Sequence, residues 1–157
     1  MLPIILTKWE DGLVTLNEVK KQLKQIGANQ YILSRSEIRY LPRILLDDEI
    51  IHEYVNGTYS GGFGVLIATN KRLLFVDKKI FDFLVDDIPY SMVSAVEYDL
   101  GMFWGRITVF SRAKDFRFKR TRKDRTMQFA RFIESKMMKS QEDLMGRGKN
   151  SKAHNLR

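Results

Sequence analysis

The chain contains no cysteine. That excludes disulfides, thiolate zinc sites, iron–sulfur clusters and cysteine nucleophiles. Histidine is nearly absent too, with only His52 and His154. The pair His52-Glu53 suggests a zinc-protease helix, but the second histidine would have to stand at position 56, which is Asn56. No metal site is therefore expected, and His52 reads as a surface strand residue. No Gly-x-Ser-x-Gly elbow occurs. Gly62 and Gly64 are not followed by a third glycine, because position 67 is Ile67. They also lie between strands rather than before a helix, where a phosphate cradle needs free amide groups. The carboxylate pairs Asp47-Asp48 and Asp86-Asp87 are adjacent in sequence, so on a strand each pair points to opposite faces. No catalytic residue, metal or cofactor is expected, and the chain reads as a non-enzyme.

Long apolar runs are missing as well. The longest uncharged stretch, Tyr54 to Asn70, carries Asn56, Thr58, Ser60 and four glycines, so it reads as strands and a turn. Met1 to Thr7 is apolar but has no cationic region before it, and Lys8, Glu10 and Asp11 follow at once. That is too short for a signal peptide or a membrane span. The expectation is a cytoplasmic protein whose membrane contact, if any, is peripheral to the inner face.

What is present suffices for one ordinary domain. The 157 residues are 44% hydrophobic. A chain of this length buries roughly 68–70% of its unfolded surface and needs no staple. Leu16, Val19, Leu23 and Ile26 recur at helical spacing, with Thr15 or Asn17 as cap candidates and Gly27 as a stop. Ser34-x-x-Glu37 resembles a capping box opening a second short helix, with Ile38 and Leu41 inward and Pro42 ending it.

From Glu49 helical periodicity gives way to short β-rich runs separated by turns. The predicted strands are 50–59, 63–69, 72–76, 80–85, 93–98, 104–110 and 116–120. In the fourth, Phe81, Phe83 and Val85 would share one face. A helix follows, with Thr121 and Asp124 as cap candidates and Phe129, Phe132, Ile133 and Met137 forming its apolar stripe. Gly146 to Arg157 has four cations and no acid. It is expected to stay disordered. The fold class is therefore α+β: about seven antiparallel strands curled into a barrel or near-barrel, two helices before them and one after. The expected divisions are a helical extension (1–42), the β domain (43–145) and a basic tail (146–157).

The runs Asp48-Glu49-Ile50-Ile51, Ala68-Thr69-Asn70-Lys71-Arg72-Leu73-Leu74-Phe75-Val76, Ile88-Pro89-Tyr90-Ser91-Met92-Val93 and Gly105-Arg106-Ile107-Thr108-Val109, followed by a helix with Phe129 and Phe132, resemble a bacterial pleckstrin-homology-like domain, with the YokE-like subgroup nearest. The resemblance covers about residues 42–139. It implies a seven-stranded split barrel capped by the C-terminal helix. It implies little about activity, since this fold hosts lipid binding, peptide binding and self-assembly. In eukaryotic relatives, cations in and around the first hairpin grip inositol phosphates. Residues 44–70 of this chain contain no Lys or Arg.

The positive charge lies elsewhere. Residues 1–100 hold 11 cations and 14 acids, whereas 101–157 hold 16 and 5. The candidate anion-binding surface is Arg106, Arg112, Lys114, Arg117, Lys119, Arg120, Arg122, Lys123 and Arg125. Phe63, set between glycines, is the candidate apolar tip. Phe116 and Phe118 alternate away from the basic face, so no stacking platform for nucleic acid is evident. The leading expectation is a binding or scaffolding module for a protein partner or a second copy. The alternative is peripheral binding to anionic lipids through residues 112–125 and the tail. Nucleic acid ranks third, and no small-molecule substrate is indicated.

Overall fold

The computed structural model describes residues 14–154, with side chains described for 14–148. The reading of Met1–Thr7 falls outside the described residues. Helix α1 spans Leu16–Gln25, and the Thr15 hydroxyl caps it by accepting from the Glu18 N–H at 3.2 Å. Two short helices follow, α2 (Gln30–Leu33) and α3 (Ser36–Tyr40), and a 3₁₀ turn at Leu41–Arg43. The Ser34–Glu37 capping box does not form. Asn29 caps α2, a helix the periodicity had not suggested, and Ser34 closes it by donating to the Tyr31 carbonyl. Glu37 is buried and pairs with Arg35 at 3.4 Å.

Seven antiparallel strands come next: β1 (Ile51–Tyr59), β2 (Gly62–Thr69), β3 (Arg72–Lys78), β4 (Phe83–Pro89), β5 (Val93–Leu100), β6 (Gly105–Ser111) and β7 (Asp115–Thr121). Their order in the sheet is β4-β3-β2-β1-β7-β6-β5. The sheet curls without closing, leaving β4 and β5 as its edges. Only Thr58↔Lys119 registers β1 against β7. The fourth strand begins later than expected. Residues 79–82 turn the chain, closed by the Lys79 N–H donating to the Asp82 carbonyl at 2.7 Å. Phe81 is left 99% exposed in that turn instead of sharing a face with Phe83 and Val85.

Two cores flank the sheet. Inside the curl, Val55, Leu66, Phe75, Val109, Phe116 and Phe118 meet Phe129, Ala130 and Ile133 of the last helix, α4 (Lys123–His154). Outside, Val19, Leu23, Ile32, Leu33, Ile38 and Leu41 pack on Tyr54, Val65, Ile67, Leu74 and Val76. Strands β1 to β3 are thus covered on both faces, which explains the near-continuous burial of Val65 to Thr69 and Leu73 to Asp77. The apolar stripe of α1 belongs to this outer core.

Thr121 caps nothing. It is a buried strand residue whose hydroxyl lies 2.6 Å from that of Thr126. Asp124 does sit in the first turn of α4, paired with Arg122 at 2.7 Å. Helical backbone continues to His154, where a structureless tail was expected from Gly146. Each added residue of an existing helix gains a hydrogen bond without a new nucleation cost, and no proline interrupts this one.

Candidate functional site

The nine cations do not form one patch. Arg112 and Lys114 stand at the β6–β7 hairpin, and Lys114 bridges the open side of the curl to Asp86 on β4. Its ammonium also lies over the Phe75 and Phe116 rings, at 5.2 and 5.0 Å. Arg117 pairs with Asp115, Arg106 with Asp99 and Arg122 with Asp124. Arg125 is not on the surface. Only 5% exposed, it faces Glu53 at 3.3 Å, stacks over Tyr54 and donates to the Ile26 carbonyl and to Gln128. It ties α4 to the N-terminal helices. Among the described residues, Arg112, Lys119, Arg120 and Lys123 have no carboxylate partner within 4 Å.

A β-bulge shapes the far end of β7. The register slips between Gly105↔Thr121 and Ile107↔Phe118, so an extra residue of β7 faces β6. Arg120 takes the strain with φ +54°. This left-handed conformation costs a non-glycine residue roughly 1–2 kcal/mol. The consequence is that Lys119 and Arg120 both stay outside while Thr121 returns to the core.

Beside that bulge is an apolar tip in a place the sequence reading had missed. Phe63 is half-buried, with the Arg35 guanidinium 3.9 Å over its ring and Tyr31 edge-on at 6.3 Å. The unforeseen α2 covers it. The exposed tip is instead the β5–β6 hairpin, where Met102, Phe103 and Trp104 are 83%, 77% and 57% exposed. Gly101 followed by three consecutive large apolar residues, where the fifth predicted strand gives way to the sixth, was the available signal. The hairpin lines a shallow hollow of about 350 Å³ with Arg106, Lys119 and Arg120.

On the other side of Trp104 lies a larger groove of about 620 Å³. It runs between α2, the β1–β2 hairpin and the end of β7. Arg120 and Arg122 supply its charge, Asn29 and Asn56 its amides, and Tyr31, Phe63 and Trp104 its aromatic walls. Among the described residues, no carboxylate lines it.

A different cluster absorbs the Thr-Asn-Lys-Arg motif. The Glu49 carboxylate is fully buried and accepts from the Thr69 hydroxyl at 2.6 Å, the Arg72 guanidinium at 2.9 and 3.0 Å and the Leu46 N–H at 3.0 Å. Arg72 also reaches Asp87 and the Ile44 carbonyl, and Lys71 pairs with Asp48 at 2.6 Å. Burial pushes the Glu49 carboxyl up, but the hydrogen bonds from Arg72, Leu46 and Thr69 outweigh it and hold the group below its ordinary range. Glu53 has the opposite balance: burial raises it and Arg125 only partly compensates. The motif is a clasp between β1, β2–β3 and β4, with its polar atoms spent internally. Among the described residues, no group of three or more His, Cys, Asp or Glu is placed to hold a metal.

An open seven-stranded antiparallel sheet, curled around an aromatic core and plugged by a C-terminal helix, defines a pleckstrin-homology-like domain. The model of the bacterial PH domain family matches residues 45–135, and the chain belongs to that family. Among solved structures it is similar to a DUF1696 family protein with a pleckstrin-homology domain from Shewanella loihica PV-4. The two share 16% identity at a TM-score of 0.42, over 79% of this chain and 98% of that one. No curated protein matches the chain. Among the described residues no helix is long and apolar enough to cross a membrane.

Proposed function

We propose that this protein is a non-enzymatic binding module whose ligand is an anionic membrane surface, engaged by the β5–β6 hairpin and the adjoining end of β7. The observation that carries the reading is the tip itself: Met102, Phe103 and Trp104 stand out from the barrel beside Arg106, Lys119 and Arg120. Apolar side chains ringed by cations suit the boundary between acyl chains and anionic headgroups. Lys119 and Arg120, without carboxylate partners among the described residues, contribute about 1 kcal/mol each near such a surface. Arg106 adds less because Asp99 already neutralises it.

Co-sedimentation with vesicles of rising phosphatidylserine content tests this. Binding should increase with anionic lipid and fall to background in the double variant Met102→Ser, Phe103→Ser. Both side chains are exposed, so thermal stability should be unchanged. Binding that ignores anionic content, or survives the double substitution, refutes the reading.

The protein-partner reading gains no surface from the α1 stripe, since Val19 and Leu23 are fully buried. It keeps one specific support. Met138 and Met145, seven residues apart on one face of α4, are 60% and 66% exposed and available to a second copy. Light scattering that finds only monomer at high concentration refutes self-association through it.

A further inference from the structure

The chain has no cysteine, so its seven methionines hold all of its sulfur. With no thiol to compete, their thioethers are the groups that a mild peroxide attacks first. The fold sorts them by access. Met92 and Met137 are half-buried against the inner core, and Met127 is half-buried on α4. Met138 and Met145 project from α4. Met102, at 83% exposure, is the most open of the described methionines. It is also the one among them that lies neither on α4 nor against the inner core.

The position of Met102 gives that access a consequence. The Gly101 N–H donates to the Trp104 carbonyl at 3.1 Å, which closes the β5–β6 hairpin and leaves Met102 and Phe103 as its outermost residues. Met102 also lines the shallow hollow beside Arg106, Lys119 and Arg120. Oxidation turns a flexible apolar side chain into a polar one. At this tip the folded chain itself loses little, because the side chain is not part of either core. A sulfoxide oxygen carried into the acyl boundary, by contrast, loses its water and finds no donor there. The neighbouring cations keep their charge, so electrostatic attraction remains while apolar anchoring is lost.

We propose that Met102 is an oxidation site through which hydrogen peroxide weakens attachment of the protein to the membrane. This rests on the membrane reading above and adds a regulatory input to it. The sulfur lone pair attacks one peroxide oxygen. An S–O bond forms as the O–O bond breaks, and the proton of the transferred oxygen passes to the departing hydroxide. Sulfur gives up two electrons, and the peroxide is reduced to water.

The test treats the full chain with hydrogen peroxide and quenches the reaction once Met102 is converted. Peptide mass spectrometry follows each methionine, and co-sedimentation with phosphatidylserine vesicles measures binding. In solution Met102 should oxidise ahead of Met92, Met127 and Met137. On saturating vesicles Met102 should be protected, while Met138 and Met145 oxidise as fast as before. The treated chain should bind about tenfold more weakly, the order expected when one buried side chain gains an unpartnered polar oxygen. Its melting temperature should be unchanged. Met138→Leu with Met145→Leu should retain the sensitivity to peroxide. Met102→Leu has no sulfur at the tip, so its affinity should be the same before and after treatment. Equal affinity before and after conversion of Met102 overturns the inference and leaves the membrane reading standing, as does sensitivity that persists in Met102→Leu. A weaker binding that comes with a lower melting temperature also overturns it, because the fold rather than the tip has then been damaged. Oxidation of Met102 at an undiminished rate on saturating vesicles overturns it too. If the untreated chain binds no vesicle at any phosphatidylserine content, the membrane reading falls and this inference falls with it.

Discussion

Removing the Glu49 carboxylate should be among the most costly polar substitutions in the molecule. Glu49→Ala deletes four hydrogen-bond contacts at once, from Thr69, from two guanidinium nitrogens of Arg72 and from the Leu46 N–H. Breaking one side of a buried ion pair costs about 3–5 kcal/mol, because the remaining charge is stranded. Arg72 is 17% exposed and keeps Asp87 and the Ile44 carbonyl, so the lower end applies, about 3 kcal/mol. Urea unfolding followed by tryptophan fluorescence measures it. The double variant Glu49→Leu, Arg72→Met removes both charges and should recover at least 1 kcal/mol relative to Glu49→Ala, since apolar replacement of a whole buried pair is often near neutral. The reasoning fails if Glu49→Ala costs less than about 1 kcal/mol, or if the double variant is no more stable than the single one.

Further expectations follow from the same geometry. Lowering pH should destabilise the fold through Asp48 and Glu49. Lys71 hydrogen bonding holds the first carboxyl low, and Arg72 with its companions overcomes burial to hold the second low. Their contribution is complete above the unfolded values of about 3.9 and 4.3, and is lost as pH falls through the folded ones. Glu53 works in reverse, contributing at acid pH and losing that contribution as pH rises through its elevated value. Melting curves should therefore show a shallower acid limb in Glu49→Gln, and Glu53→Gln should remove the opposing drift. Gly57→Ala should lower the melting temperature sharply, because its Cβ would come 2.4 Å from the Lys119 carbonyl oxygen at the seam between β1 and β7. A shift of less than 2 °C would contradict that crowding. Ile80→Ser with Phe81→Ser should leave stability unchanged, within about 0.5 kcal/mol, since both side chains are almost fully exposed.

Periodicity carried most of the fold. Strand alternation placed Phe116 and Phe118 inside and Arg117 and Lys119 outside, and the four-residue spacing of Phe129 and Ile133 placed α4 in the core. The misreadings share a cause: local pattern was followed where tertiary contact decided. Phe63 looks like a bare tip only if α2 is unknown, and α2 is four residues with no apolar period of its own. Phe81 fits strand alternation, but a hydrogen bond across residues 79–82 moves it into the turn. Arg125 belongs to a basic run by sequence, yet sits on the inward face of α4 one turn before Phe129. The candidate groove draws on α2, two hairpins and a bulge, and no linear spacing joins those segments.

The weak seam between β1 and β7 has a kinetic meaning. Strands β1 to β4 are hairpin neighbours in sequence, as are β5 to β7, so each half can form from local pairing. The one ladder link between the halves, Thr58↔Lys119, spans 61 residues, and the Arg125 contact to the Ile26 carbonyl spans 99. Closing loops of that length costs entropy before any contact rewards it, which places docking of the halves late in folding. The groove takes Asn56 and Phe63 from one half and Trp104 and Arg120 from the other. It comes into existence only at that last step. Hydrogen exchange should therefore find the Thr58 and Lys119 amides opening at lower free energy than the β2–β3 core, and a ligand bound in the groove should close that difference.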